Sequence, residues 1–139
     1  MAIRLAISDQ EVSACFPIMQ QLRTHLDPTQ FIPAVRRQER QGYRLAYLED
    51  QGKIQAVAGF RRIDNLTFGG VLYVDDLVTD TDSRSKGYGA QLLTWLRAQA
   101  RADACNSVQL DTGVQRKDAQ RFYDREGARW SAYHYEIAP

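Results

Sequence analysis

Hydrophobic and polar positions change period along this chain, and the changes lay out its elements. Ile3, Leu5 and Ile7 alternate with Arg4 and Ala6, which predicts a first strand with one core face. Val12, Cys15, Phe16, Met19, Leu22 and Leu26 then recur at helical spacing, behind a Ser8 or Asp9 cap and with Glu11 in the first turn. Pro17 falls inside that pattern and predicts a kink or a restart. Asp27-Pro28 breaks it. A second helix is expected from 28 or 29 to 41, with Phe31, Ile32 and Val35 inward, Arg36, Arg37 and Arg40 outward, and Gly42 as its stop.

The period then becomes two. Tyr43, Leu45 and Tyr47 alternate with Arg44, Ala46 and Leu48; Glu49-Asp50-Gln51-Gly52 reads as a hairpin turn, and Ile54, Ala56 and Ala58 begin a return strand ending near Arg61 or Arg62. A second turn at Asp64-Asn65 and the pair Gly69-Gly70 lead into the apolar run Val71-Leu72-Tyr73-Val74, continued by Leu77-Val78. These three strands predict an antiparallel meander. A polar turn over 80–86 opens a helix at Gly87, with Leu92, Leu93, Leu96 and Ala100 on one stripe. A short strand over 107–111 follows, parallel to the preceding strand because a helical crossover joins the two. A helix over 117–126, stopped by Gly127, and a strand over 130–138 with Ser131, Tyr133, Tyr135 and Ile137 on one face complete the chain.

Composition bounds this picture without redirecting it. The 139 residues, 44% hydrophobic and 25% charged, predict one globular domain over 1–139. A net charge of +1 gives no field to draw nucleic acid or an acidic membrane, so neither is expected as a partner. No apolar run approaches the roughly 20 residues needed to span a bilayer, and the start MAIRLAISDQE has no signal-peptide core. Cys15 and Cys105 lie far apart without metal-ligand spacing and read as reduced thiols of a cytoplasmic protein. His25 and His134 stand alone, so no metal site is expected.

The chemistry concentrates in 71–102. A strand ending in a glycine turn that opens a helix aims free backbone N–H groups at whatever lies above the sheet, which suits an anion. Arg84 and Lys86 add full charges, and Gly87 and Gly89 remove side chains from its path. A P-loop would need G-x-x-x-x-G-K-[S/T], which does not occur. A dinucleotide fingerprint would need a third glycine where Leu92 stands. A purely structural glycine turn leaves the two basic residues unexplained.

Two strings then point to one family. Arg84-x-x-Gly87-x-Gly89-Ala90 matches the pyrophosphate loop, and Ala119-x-x-Phe122-Tyr123-x-x-x-Gly127 the segment after the fifth strand, of the GNAT superfamily of acyl-CoA N-acetyltransferases. The chain resembles that superfamily in layout over nearly its whole length. The resemblance implies an α/β (α+β) fold with a mixed, mostly antiparallel sheet of about six or seven strands and about four helices. Its fourth and fifth strands would be parallel and splayed. It further implies acetyl-CoA as co-substrate, with the pyrophosphate on Arg84, Ser85, Lys86, Gly87, Tyr88, Gly89 and Ala90. The pantetheine arm would lie on the main chain of Leu77, Val78 and Thr79.

The resemblance also implies that Tyr123 faces the departing sulfur. A phenol at about 10 and a thiol at about 8.5 make full proton transfer uphill by roughly 2 kcal/mol, whereas a hydrogen bond that strengthens as charge builds avoids that cost. Asp75 and Asp76 interrupt an apolar strand, where alternation puts one on each face unless a bulge intervenes. One carboxylate, with Asp75 preferred, is expected to orient the acceptor amine or a water that relays its proton. Arg116 stands where many relatives carry an asparagine that contacts the cofactor. No cysteine sits in either string, which leaves a covalent acetyl-enzyme without support. The expected function is therefore acetyl transfer to a primary amine, on a small molecule or a protein, by direct attack on the thioester. The competing reading is a non-catalytic acyl-CoA sensor, and a homodimer is a family-level expectation.

Overall fold

The computed structural model describes residues 1–139. The chain divides into two compact units, Met1–Gln109 and Leu110–Pro139. The first holds β1 (Ala2–Leu5), α1 (Asp9–Leu22), α2 (Pro28–Glu39), β2 (Arg44–Asp50), β3 (Lys53–Asn65), β4 (Gly69–Thr79), α3 (Tyr88–Ala102) and nearly all of β5 (Ser107–Leu110). The second holds α4 (Lys117–Arg125). The five strands run in the order β1-β2-β3-β4-β5. The first four are antiparallel neighbours, and β5 is parallel to β4.

The first unit is built in layers. On one face of the sheet, Val12, Cys15, Ile18 and Met19 of α1 and Phe31 and Val35 of α2 bury against Leu45, Tyr47, Val57 and Val78. On the other, Leu92 and Leu96 of α3 are fully buried with Phe60 and Leu72, and Phe60 meets Trp95 edge-on at 5.7 Å. α1 starts on the capping box that Ser8 and Glu11 form, and it runs through Pro17 as one helix rather than restarting. Arg36 faces out as expected, but it pairs with Asp9 and Glu39 and donates to the Ile7 carbonyl, tying α2 to the start of α1.

One expected strand is not formed. Residues 128–139 carry neither helix nor strand, so the sheet has five strands rather than six or seven. Alternation in sequence marks a segment that can pair, but a strand exists only where a neighbour supplies the ladder. No helix is long and apolar enough to cross a membrane.

Candidate functional site

The turn between β4 and α3 is anchored at its base and open at its tip. Gln21 of α1 donates to the Asp80 carboxylate at 3.2 Å and accepts from the Thr81 N–H and hydroxyl, both at 2.9 Å. Buried Ser83 bonds buried Gln55 at 2.5 Å, and Tyr88 donates to Asp50 at 2.7 Å. Beyond these anchors, Arg84, Ser85, Lys86 and Gly87 are exposed. Ser85 and Gly87 take left-handed backbone, φ 67° and 83°. Gly87 is the N-cap of α3 and no side chain caps that helix, so its first-turn N–H groups, from Tyr88 onward, have no internal acceptor. A Cβ on Gly87 would meet nothing within 4 Å, so space as well as backbone geometry is available to a ligand. Gly89 and Ala90 lie half-buried in the first turn.

β4 outruns β5. The Asn106 N–H donates to the Gly70 carbonyl at 2.7 Å, which sets the start of β5 beside the start of β4. At parallel register, β5 ends at Leu110 near the level of Val74, while β4 continues to Thr79. On its other flank, β4 stays paired with β3, with Thr79, Val78 and Leu77 opposite Ala56, Val57 and Ala58. The Asp80 N–H donates to the Gln55 carbonyl at 2.8 Å. Antiparallel alternation therefore turns the main chain of Val78 toward β3 and that of Leu77 and Thr79 toward the flank that β5 leaves uncovered.

Midway along β4 the register with β3 shifts: Gly59 pairs with Asp76 but Phe60 with Val74, which leaves Asp75 as the extra residue of a bulge. The bulge carries both consecutive carboxylates to the α1–α2 side. Arg61 holds Asp75 with two bonds, 3.1 and 2.6 Å, and also donates to Gln38 of α2 at 3.0 Å. Asp76 accepts from the Tyr43 hydroxyl and from Arg23 Nε, each at 2.9 Å; the same arginine donates to the Asp75 carbonyl at 2.8 Å. Burial, partly offset by Arg61, raises the pKa of Asp75 above the usual carboxylate value. Burial and the neighbouring Asp76 push the Tyr43 phenol well above its ordinary value. The Tyr43 hydroxyl lies directly over Gly59, where an added Cβ would sit 1.8 Å from it.

In the second unit, Phe122 and Tyr123 sit edge-to-face at 5.1 Å on α4. Gly127, at φ 90°, ends the helix: its N–H donates to the Asp124 carbonyl and that of Ala128 to the Tyr123 carbonyl at 3.0 Å. This closing pair of bonds explains a glycine four positions after Tyr123 and pins the backbone of that tyrosine. Burial raises the Tyr123 pKa, partly offset by the positive charge of Arg116 at the N-cap of α4. The phenol thus keeps its proton over a wider pH range. His134 lies 3.3 Å from Asp111, and both side chains are exposed. Burial, reinforced by Glu11, pushes the Cys15 thiol up to about 12, so it is an inert core residue.

The sequence reading missed Arg61, Tyr43, Arg23 and Gln38 around the carboxylates and Gln21 and Gln55 under the loop. One signal pointed to the former group: Gly59 inside an apolar strand marks a bulge or a close approach.

The model of the acetyltransferase (GNAT) family matches residues 9–128. The chain belongs to this family. The N-acetyltransferase YhdJ of Bacillus subtilis, named as uncharacterized, is 36% identical over 128 residues, which cover 91% of this chain and 90% of that protein. An aminoalkylphosphonate N-acetyltransferase of Salmonella typhimurium is 36% identical over 65 residues, 47% of this chain and 42% of that protein. Among solved structures, the aminoglycoside N-acetyltransferase AAC(6')-Iy in complex with CoA superposes with a TM-score of 0.87 at 12% identity, covering 99% of this chain and 93% of that one. A transcriptional regulator from Bacillus halodurans C-125 does so at 0.85 and 21%, covering 99% and 98%. At these identities the solved structures speak for the fold. Membership of this family, with relatives named N-acetyltransferases, makes acyl transfer the chemistry of the chain.

Proposed function

We propose that this protein is an acetyl-CoA-dependent N-acetyltransferase acting on a primary amine in the cytoplasm. The observation that carries the reading is the uncapped start of α3 behind left-handed Ser85 and Gly87, with Arg84 and Lys86 exposed beside it. These groups suit a diphosphate: N–H donors, a helix dipole and two cations without a carboxylate partner. CoA in the aminoglycoside N-acetyltransferase supports the same donor here, and the aminoalkylphosphonate relative supports a small amine as acceptor.

Acetyl-CoA, when bound, supplies an activated acyl carbon and a thiolate leaving group. Arg84, Ser85, Lys86 and the N–H groups of Gly87, Tyr88, Gly89 and Ala90 hold its diphosphate end. The main-chain groups of Leu77 and Thr79 receive the amides of the pantetheine arm, while Val78 supports them from its bonds to β3. Asp75 orients the acceptor amine or a water that takes its proton; its raised pKa brings it closer to that task. The amine nitrogen forms the new C–N bond and the C–S bond breaks; the family resemblance assigns to the Tyr123 hydroxyl a hydrogen bond to the thiolate as its charge develops.

A non-catalytic acyl-CoA sensor is the second reading, favoured by one observation: Asp75 is closed in a two-bond pair with Arg61 rather than free. Tyr123→Phe separates the two. In an enzyme, kcat for acetyl transfer to a screened amine, read by thiol release, falls roughly a hundredfold while CoA affinity holds. Failure of a broad amine panel to release thiol from a wild-type protein that binds CoA would favour the sensor instead.

A further inference from the structure

Gln55 of β3 and Ser83 are buried polar residues, each 2% exposed. The Ser83 hydroxyl donates to Gln55 Oε1 at 2.5 Å, and Gln55 Nε2 donates to the Asp50 carbonyl at 3.0 Å. No buried side-chain nitrogen or oxygen is left without a partner. A buried amide and hydroxyl that satisfy one another add little net stability over an apolar pair of the same shape. What they secure is a fixed geometry.

That geometry fixes a span. Ser83 closes the short turn 81–83, and four exposed residues follow it, Arg84, Ser85, Lys86 and Gly87. The next residue, Tyr88, donates to Asp50 Oδ2 at 2.7 Å. Both ends of the exposed stretch are therefore held by one short piece of chain, Asp50 to Gln55, across the β2–β3 hairpin. Gln55 adds a third hold, since its carbonyl accepts from the Asp80 N–H at 2.8 Å. Between the two ends Ser85 stands at φ 67°, a left-handed conformation that a residue with a side chain keeps only where its surroundings impose it.

We propose, on the reading of this loop as the CoA diphosphate site, that Gln55 and Asp50 are its positioning residues. Acting through Ser83 and Tyr88, they clamp the loop at both ends and hold it in its binding shape before a ligand arrives. A loop ordered in advance removes the entropy of ordering from the binding step. One that holds its binding shape only part of the time binds more weakly in proportion. The clamp therefore sets CoA affinity without supplying a group to the diphosphate.

Trypsin reads the clamp with no ligand present, because it cuts after Arg84 and Lys86, and calorimetry with CoA reads the consequence. Ser83→Ala releases one end and Tyr88→Phe the other, and both leave the loop's own N–H groups and cations in place. In the free protein each variant should be cut after Arg84 and Lys86 roughly fivefold faster, with cutting at the other basic residues unchanged. CoA should bind roughly fivefold more weakly to each. The double variant should lose less than the product of the two, since a loop already freed at one end gains less from release of the other. Faster cutting at every basic residue alike marks a loss of overall stability and overturns the proposal. Unchanged cutting after Arg84 and Lys86 overturns it too, as does unchanged CoA affinity in variants whose loop is cut faster. A wild type that resists cutting in the loop and yet binds no CoA overturns the CoA reading, and the role of the clamp falls with it.

Discussion

The loop before α3 and the bulge of β4 are neighbours in sequence and opposites in construction. The loop leaves its donors and cations unspent: helix N–H groups without acceptors and Arg84 and Lys86 without carboxylates. The bulge has every charge engaged, Asp75 by Arg61 and Asp76 by Arg23 and Tyr43. The difference teaches that binding and placement make different demands. A site that must bind an anion keeps its donors free, and folding bears the modest cost of leaving them in water. A site that must hold carboxylates half-buried surrounds them with internal partners, because an unpartnered charge there is expensive.

Substitutions can break that contrast. Gly59→Ala pushes a methyl into the Tyr43 hydroxyl and should lower the unfolding free energy by about 3 kcal/mol in urea titrations. Gly87→Ala, in open space, should cost only about 1 kcal/mol of backbone strain. If the two losses were equal, the bulge would be as slack as the loop. Arg61→Met comes next. It leaves Asp75 without its counter-charge, and a loss of about 2 kcal/mol is expected, with Arg61→Lys recovering only part because a single ammonium cannot make both bonds.

On the loop side the signs reverse. Arg84→Ala and Lys86→Ala should each weaken CoA roughly fivefold by calorimetry, an effect that shrinks as salt is added, with the melting temperature unmoved. The smallest effect is a pH profile. Backbone N–H bonds from Ser8, then the Tyr47 hydroxyl, hold Glu11 at about 2 against an ordinary 4.5. A depressed carboxylate contributes stability that is present above its unfolded value and lost as pH falls through the folded one. Stability should therefore drop between about pH 4.5 and 2, and Glu11→Gln, which keeps the capping box, should flatten that limb. An unchanged acid limb in the variant would assign the drop to other carboxylates.

Legibility in the sequence follows the same divide. The loop could be singled out because its proposed function is local: two glycines, two basic residues and a helix start lie within a few letters. The Phe122-Tyr123 segment could be read for a similar reason, since Gly127 closes the helix within one turn. The bulge could not. Arg61, Tyr43 and Arg23 reach Asp75 and Asp76 from three distant stretches of chain, Gln38 reaches Arg61 from a fourth, and a one-residue register shift leaves only Gly59 as a trace. The strand over 130–138 failed for a third reason: alternation reports that a segment can pair, not that a neighbour supplies the ladder.

The contact between Tyr43 and Gly59 also limits how this protein can change. Any side chain at position 59 requires a smaller residue at 43, and a smaller residue at 43 strips Asp76 of a hydrogen bond, leaving Arg23 to hold it alone. These positions therefore cannot drift one at a time. A lineage that altered one would have to alter the others almost together, whereas the exposed arginine and lysine of the loop can be exchanged in single steps.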